Sequence, residues 1–141
     1  CWGSGLAGKL GDGTENDHAT PSSVPGLTSV VQIETGLAHT CALLSDGSVS
    51  CWGRNESGES GQPMASSAMC GTGTPFPCIR SPMPVAGLPR AVGISIGGNT
   101  SCAALEDGRV MCWGANSNGG LGIGTSDSDP HPSPTAVLAI P

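Results

Sequence analysis

The 141-residue chain has no tyrosine and a single phenylalanine, and only 11% of it is charged. Five Lys plus Arg stand against eleven Asp plus Glu, for a net charge of −6. Nucleic-acid binders present a basic face, and five scattered cations cannot build one, so no nucleic-acid partner is expected. No apolar run approaches the roughly 20 residues needed to cross a bilayer, so no transmembrane segment is expected either. No stretch holds helical periodicity for three turns. The chain begins without Met, inside a repeat, so an upstream targeting segment would not be visible in it.

What is present in excess is glycine (23), proline (12) and cysteine (7). Glycine and proline at about a quarter of the residues signal disorder in a chain without period. Here they recur with a period. Cys-Trp-Gly stands at Cys1, Cys51 and Cys112, spaced by 50 and then 61 residues, within the range of propeller blades. Each triplet is followed, five residues on, by a short glycine-bounded loop: Gly8–Gly11, Gly58–Gly61 and Gly119–Gly122. Val24-Pro25-Gly26-Leu27 returns as Val85-Ala86-Gly87-Leu88, and Thr40–Gly47 returns as Ser101–Gly108, both at an offset of 61. The short Val, Ile, Leu and Ala runs between breakers read as strands. Pro21, Pro82 and Pro134 keep the lead-in segments extended or at a sheet edge. The expectation is an all-β chain of β-propeller blades: about two full repeats and part of a third, belonging to a larger propeller. Cut at the triplets, the units run 1–50, 51–111 with an insertion at 62–81, and 112–141. A blade buries its faces only against its neighbours, so the units are not independent. The C-terminal Ile140-Pro141 falls where a further hairpin would start.

The cysteine spacing carries geometry. A three-residue hairpin loop at Ser45-Asp46-Gly47, with Gly47 in the left-handed region, sets Cys41 opposite Cys51. The same count around Glu106-Asp107-Gly108 sets Cys102 opposite Cys112. Both pairs fall at non-hydrogen-bonded sites, where cross-strand side chains come closest. A two-residue Asp-Gly loop would instead place Cys41 opposite Trp52, and the recurrence of both cysteines favours the longer loop. Each such bridge contributes about 2–3 kcal/mol. Cys70 and Cys78 bracket an irregular segment in the insertion and read as a local disulfide. Zinc normally takes four Cys or His ligands, and no His lies near that pair. Cys1 is left over: unpaired, or bridged to a partner outside the chain. This cysteine density implies an oxidising compartment, either extracellular, at the cell surface or periplasmic.

Trp2, Trp52 and Trp113 occupy one repeat position and read as blade-packing elements, with a sugar-stacking platform as the sharper alternative. His39 belongs to the repeat, yet Thr100 stands at its equivalent, and it reads as a structural hydrogen-bonding residue. His18 and His131 read as solvent-exposed loop residues. Asp46 and Asp107 are explained by turn chemistry. The acidic groups Asp12, Glu15, Asp17 and Asp127, Asp129 lack the Asp-x-Asp-x-Asp-Gly pattern of a calcium loop and read as solvated. Asn118–Gly122 lacks the lysine of a phosphate loop. Asn55-Glu56-Ser57 and Asn99-Thr100-Ser101 match the N-glycosylation triplet, which is common by chance. No catalytic constellation, metal set or cofactor motif emerges, and a small-molecule ligand is not expected.

The pattern Cys-Trp-Gly…Gly-x-Leu-Gly…Val-x-Gly-Leu…Ile-x-x-Gly-x-x-His-Thr-Cys-Ala-Leu-x-x-Asp-Gly-x-Val-x-Cys-Trp-Gly resembles the regulator of chromosome condensation repeat. It is matched closely by Gly36–Leu43 and Asp46–Gly53, and the resemblance covers the chain apart from 62–81. It implies a propeller, commonly of seven four-stranded blades, whose general task is binding protein partners. The paired hairpin cysteines look like those of secreted or surface-exposed bacterial members. The acidic composition departs from the chromatin-associated branch, so nucleotide exchange does not follow. The reading is a non-catalytic protein-binding scaffold, with the insertion as its recognition feature through Met64, Met69, Phe76 and Arg80. The alternative is self-assembly, as a structural subunit of a fibre or surface layer built by blades stacking between chains. A lectin-like or enzymatic role is the weakest option.

Overall fold

The structure is a computed structural model, and it describes residues 1–138. The end of the third repeat unit, including Ile140-Pro141, lies outside the described residues. The described chain is all-β apart from two single turns of 3-10 helix at Leu6–Gly8 and Met64–Ser66. Strands β1 (Val30–Thr35), β2 (His39–Leu44), β3 (Val49–Arg54), β4 (Ala68–Cys70) and β5 (Phe76–Pro84) form one antiparallel sheet in the order β1-β2-β3-β5-β4. Strands β6 (Ala91–Gly97), β7 (Thr100–Leu105), β8 (Val110–Gly114) and β9 (His131–Ala136) form a second in the order β6-β7-β8-β9. The two sheets do not close on each other. They are successive propeller blades, each an antiparallel meander, and β4 is an extra strand from the insertion.

Residues 1–29 hold part of a preceding blade. Gly3 pairs with His18 by two backbone hydrogen bonds, as Gly53 pairs with Ile79 and Gly114 with His131. The sequence unit 51–111 therefore starts inside the first sheet and ends inside the second, and the described part of the third unit stays in the second sheet.

The hairpin turns follow from glycine. Gly47 (φ 84°) and Gly108 (φ 85°) lie in the left-handed region, and Leu44 and Leu105 receive the loop-closing bonds. The register that results sets Cys41 against Cys51 and Cys102 against Cys112. The glycine of the triplet has its own reason. At Gly53 (φ 103°) a β-carbon would stand 2.6 Å from the His39 Cα, and the ladder to β5 shifts register at this point. Gly114 (φ 104°) marks the same shift against β9. Pro82 and Pro134 sit within the matching irregular stretches of the outer strands, where no ladder donor is needed.

The main core is the junction between the blades. Cys41, Leu43, Val49 and Cys51 of the first pack against Ala91, Ile94, Ala103, Leu105 and Trp113 of the second, with Val85 between. A smaller cluster of Ala42, Trp52 and Ile79, flanked by Cys1, Val24 and Leu27, lies on the opposite face of the first blade.

Candidate functional site

The insertion is built as an extension of the first blade. Ala68–Cys70 pairs with Phe76–Cys78, and the cysteines at the two ends of that pairing, Cys70 and Cys78, are bonded with Cα atoms 5.8 Å apart. Both sulfurs are buried. Glu15, from the preceding repeat, ties the hairpin down. Its carboxylate accepts from Arg80 Nη2 (2.9 Å) and from the Gly71 amide (2.8 Å). Arg80 also donates to the Met69 carbonyl (2.7 Å) and lies 3.4 Å from the Cys70 sulfur. Phe76 packs under the Arg54 guanidinium, 5.2 Å from ring centre to Cζ, and Arg54 is itself paired with Glu56. Phe76 and Arg80 thus act in holding the hairpin, while Met64 and Met69 face solvent. Met83, on β5, is exposed as well and carried no sequence signal.

The other two cysteine pairs lie across the β2–β3 and β7–β8 ladders with Cα–Cα distances of 4.1 Å each. Cys1 is free and half-buried.

The blade junctions hold the densest polar chemistry. Trp52 Nε1 and Thr40 Oγ1 both donate to the Lys9 carbonyl, at 2.9 Å each. One repeat later, Trp113 Nε1 (3.1 Å) and Ser101 Oγ (3.0 Å) both donate to the Glu59 carbonyl. One carbonyl of the preceding glycine loop thus receives an indole and a hydroxyl from the next blade. Gly11 makes the approach possible, since a β-carbon there would lie 2.7 Å from the Trp52 indole nitrogen. Trp52 and Trp113 are fully buried. Trp2 departs from the expected packing role and is 65% exposed. The physical reason is that no segment among the described residues occupies, against Trp2, the place that Lys9–Gly11 occupies against Trp52.

His39 adds to the second junction. Its Nε2 lies 2.9 Å from Ser101 Oγ. The Ser101 proton goes to the Glu59 carbonyl, so His39 is the donor and carries its proton on Nε2. Nδ1 is left buried with no partner. Burial pushes the His39 pKa down to about 4. The pair has the form of a base and nucleophile, but both residues are only 1% exposed. No substrate reaches the hydroxyl, and the arrangement is a structural clamp. Glu59 is also buried; desolvation raises its carboxyl pKa, and only Oε2 finds a partner, the Ser57 amide at 2.6 Å.

Of the remaining acidic loop groups, Asp12, Asp17 and Asp127 are engaged, while the Asp129 side chain is exposed. Asp12 accepts from Thr14 and pairs with His18 at 2.7 Å, and the Thr14 amide bond lowers its pKa. Asp17 accepts from the Gly5 amide. Asp127 pairs with His131 at 2.7 Å, the bond that chiefly lowers its pKa, and accepts from Asn116 and Asp129. His18 and His131 are therefore half-exposed partners of carboxylates rather than free loop residues, because both lie opposite a triplet glycine. Among the described residues no group of three metal-ligating side chains converges. Asn55 is fully buried, with its Nδ2 on the Gln62 carbonyl and Ser67 Oγ, so this amide is closed to a glycan in the folded chain. Its repeat equivalent Asn116 knits the next loop in the same way, to Thr125 and Leu121. Asn in Cys-Trp-Gly-x-Asn of the last two repeats was the available signal for this role.

Blades laid face to face, each locked to the loop of the last, define a β-propeller. A family model described as the regulator of chromosome condensation (RCC1) repeat matches residues 1–43 and 107–139, and a second of the same description matches 30–59 and 91–119. The chain belongs to the RCC1 repeat family. It is 33% identical over 127 residues to the probable E3 ubiquitin-protein ligase HERC6 of Homo sapiens, covering 86% of this chain and 11% of that protein. It is 31% identical over 116 residues to the ultraviolet-B receptor UVR8 of Arabidopsis thaliana, covering 81% of this chain and 24% of that one. Among solved structures it superposes on Prp20p from Saccharomyces cerevisiae with a TM-score of 0.79 at 21% identity, over 98% of this chain and 33% of that one. Human WBSCR16 follows with a TM-score of 0.72 at 22% identity, over 97% and 34%. The chain thus spans about a third or less of each of these proteins.

Proposed function

We propose that the chain is a non-catalytic protein-binding scaffold of an oxidising compartment, secreted or at a cell surface, with the disulfide-tied hairpin at 62–81 as its recognition feature. The observation that carries this reading is the hairpin itself. It is the largest departure from the repeat, is braced by Glu15, Arg80 and the Cys70–Cys78 bond, and turns Met64 and Met69 outward. Rigid scaffolds presenting variable loops are a common way to bind proteins, and the solved Prp20p structure is described with its binding to Gsp1p and histones. Three cysteine pairs at bonding distance support the compartment. Seven blades in the parent ring, bacterial kinship and independence from nucleic acid belong to the same proposal.

The test has two arms. Alkylation of the native protein before reduction is expected to label Cys1 alone, and labelling of the other six overturns the compartment. Photo-cross-linking from positions 64 and 69 is expected to give partner adducts that positions 86 and 126 do not. Adducts of equal yield from all four positions overturn the assignment of the hairpin. Self-assembly is the competing reading, favoured by the apolar surface left open on the first blade, and sedimentation of the native protein as large polymers would establish it.

A further inference from the structure

The three disulfides differ in what surrounds them. Cys41–Cys51 and Cys102–Cys112 each join directly paired positions in a ladder of five pairs. Cys70–Cys78 lies in the insertion, in a ladder of three pairs at the outer edge of its sheet. Among the described residues, a cation touches one of these six sulfurs: Arg80 Nε donates to Cys70 Sγ at 3.4 Å. Cys41 Sγ has only the neutral Ser101 hydroxyl, at 3.8 Å. Arg80 Nη2 also donates to Glu15 Oε1 and to the Met69 carbonyl, while Glu15 Oε2 accepts from the Gly71 amide. The charge beside the sulfur is therefore shared with the carboxylate that ties the hairpin down.

A disulfide sulfur is a weak acceptor, whereas a thiolate makes charge-assisted bonds. Reduction thus strengthens the Arg80 contact. A cation beside a sulfur favours its thiolate, and the sulfur that better holds negative charge leaves faster. Arg80 gives the break a direction, with Cys78 attacked and Cys70 leaving. Both sulfurs are buried, so attack requires β4 to lift from β5. A three-pair edge ladder is a weak restraint of the kind that opens locally.

We propose that Cys70–Cys78 is a thiol–disulfide exchange site, opened by a thiolate reductant ahead of the two blade bonds, and that its opening releases the hairpin. The first thiolate attacks Cys78 Sγ, and the electron pair of the S–S bond leaves on Cys70 Sγ beside Arg80. Cys78 is then held in a mixed disulfide with the reductant. A second thiolate attacks the reductant's sulfur in that bond and frees Cys78 as a thiolate. Two reductant thiols end as one disulfide, and the protein has gained two electrons. Arg80 then faces two anions, the Cys70 thiolate and Glu15, which loosens the tie to the preceding repeat. The consequence for partner binding rests on the hairpin being the recognition feature. The order in which the bonds open is measured on the chain alone and is independent of that reading.

Exposure alone gives a different order, because Cys102 is half-buried while Cys70 and Cys78 are closed to solvent. The whole chain is incubated with excess reduced glutathione, and samples are alkylated over time and mapped by mass. Cys70 and Cys78 are expected to be labelled about fivefold faster, or more, than either other pair. Arg80→Met is expected to slow this labelling several-fold, and Arg80→Lys, which keeps a cation, to restore most of the rate. Glu15→Gln leaves the whole charge to the sulfur and is expected to speed it. If Arg80 only braced the hairpin, Arg80→Met would loosen it and speed labelling, the opposite sign. Circular dichroism and the two intact blade bonds verify that each variant is folded. Thermolysin is expected to cut between positions 64 and 76 after reduction and not before. Earlier opening of Cys102–Cys112, an Arg80→Met chain labelled as fast as the original, a slower Glu15→Gln chain, or equal cutting before and after reduction would each overturn the proposal.

Discussion

The junction between residues 1–29 and the first blade and the junction between the two blades use the same parts to different completeness. In both, an indole and a hydroxyl converge on one carbonyl of a glycine loop. In the first, that polar lock is nearly all there is, and the apolar core beside it stops at Ala42, Trp52 and Ile79. In the second, the lock is backed by two apolar sheet faces, by the Gln32 amide and by His39. The difference shows what a propeller junction consists of. The lock fixes where one blade sits against the next, and the facing sheets supply most of the stabilising burial.

The largest effect that would break the comparison comes from the tryptophans. Trp113→Ala, at the complete junction, is expected to cost about 3–5 kcal/mol in denaturant unfolding. Trp2→Ala is expected to change stability by less than about 0.5 kcal/mol, as at an exposed site. Equal losses would mean that the exposed indole is packed in solution.

The next effect is on pH. Only the complete junction holds a buried histidine. Unfolded His39 takes up its proton near pH 6.5 and the folded residue near 4. Over that window the unfolded state binds more protons, so stability present above pH 6.5 is lost as the pH falls towards 4, by on the order of 3 kcal/mol at most. Glu59, with its raised pKa, adds a loss in the other direction, as the pH rises above the normal carboxyl range. His39→Asn should flatten the acid limb of the unfolding profile and leave the rest. An unchanged acid limb would put the titrating group elsewhere.

Two smaller effects sharpen the picture. Gly11→Ala must keep φ at 76° and also push the Trp52 indole, whereas Gly26→Ala keeps φ at 78° with open space around it. Thermal unfolding is expected to show a loss of about 1–3 kcal/mol for the first and about 1 kcal/mol for the second. Gln32→Ala removes two bonds, one from the Ile94 amide and one to the Ile94 carbonyl, that water partly replaces, and about 1 kcal/mol is expected, measured by the same unfolding assay.

The local part of this architecture was legible in the sequence. The turn glycines Gly47 and Gly108 fix a loop length, and loop length fixes which cysteines face each other. The repeat offset assigned Trp52 and Trp113 to one structural role, since a recurring indole has a recurring surrounding. Trp2 holds the same repeat position, but among the described residues no glycine loop covers it as one covers Trp52 and Trp113. What stayed hidden is what depends on contacts across the repeat. Glu59 stands in the sequence only as a residue of the glycine loop Gly58–Gly61, and the packing of a second blade over that loop buries it. Glu15 reads as part of an acidic loop, but the fold brings it to Arg80, 65 residues away. His39 was readable as structural, but not its partner, because Ser101 lies on another sheet.

The shared carbonyl also gives the molecule a direction. At each junction one side offers an oxygen and the other offers two protons, and the two roles are never exchanged. A blade therefore has a donating face and an accepting face, as a monomer in a polar filament has a head and a tail. Two accepting surfaces brought together leave carbonyl against carbonyl, and two donating ones leave indole against indole. Any blade added to this chain, from whatever source, must arrive in one orientation and can be added in only one order.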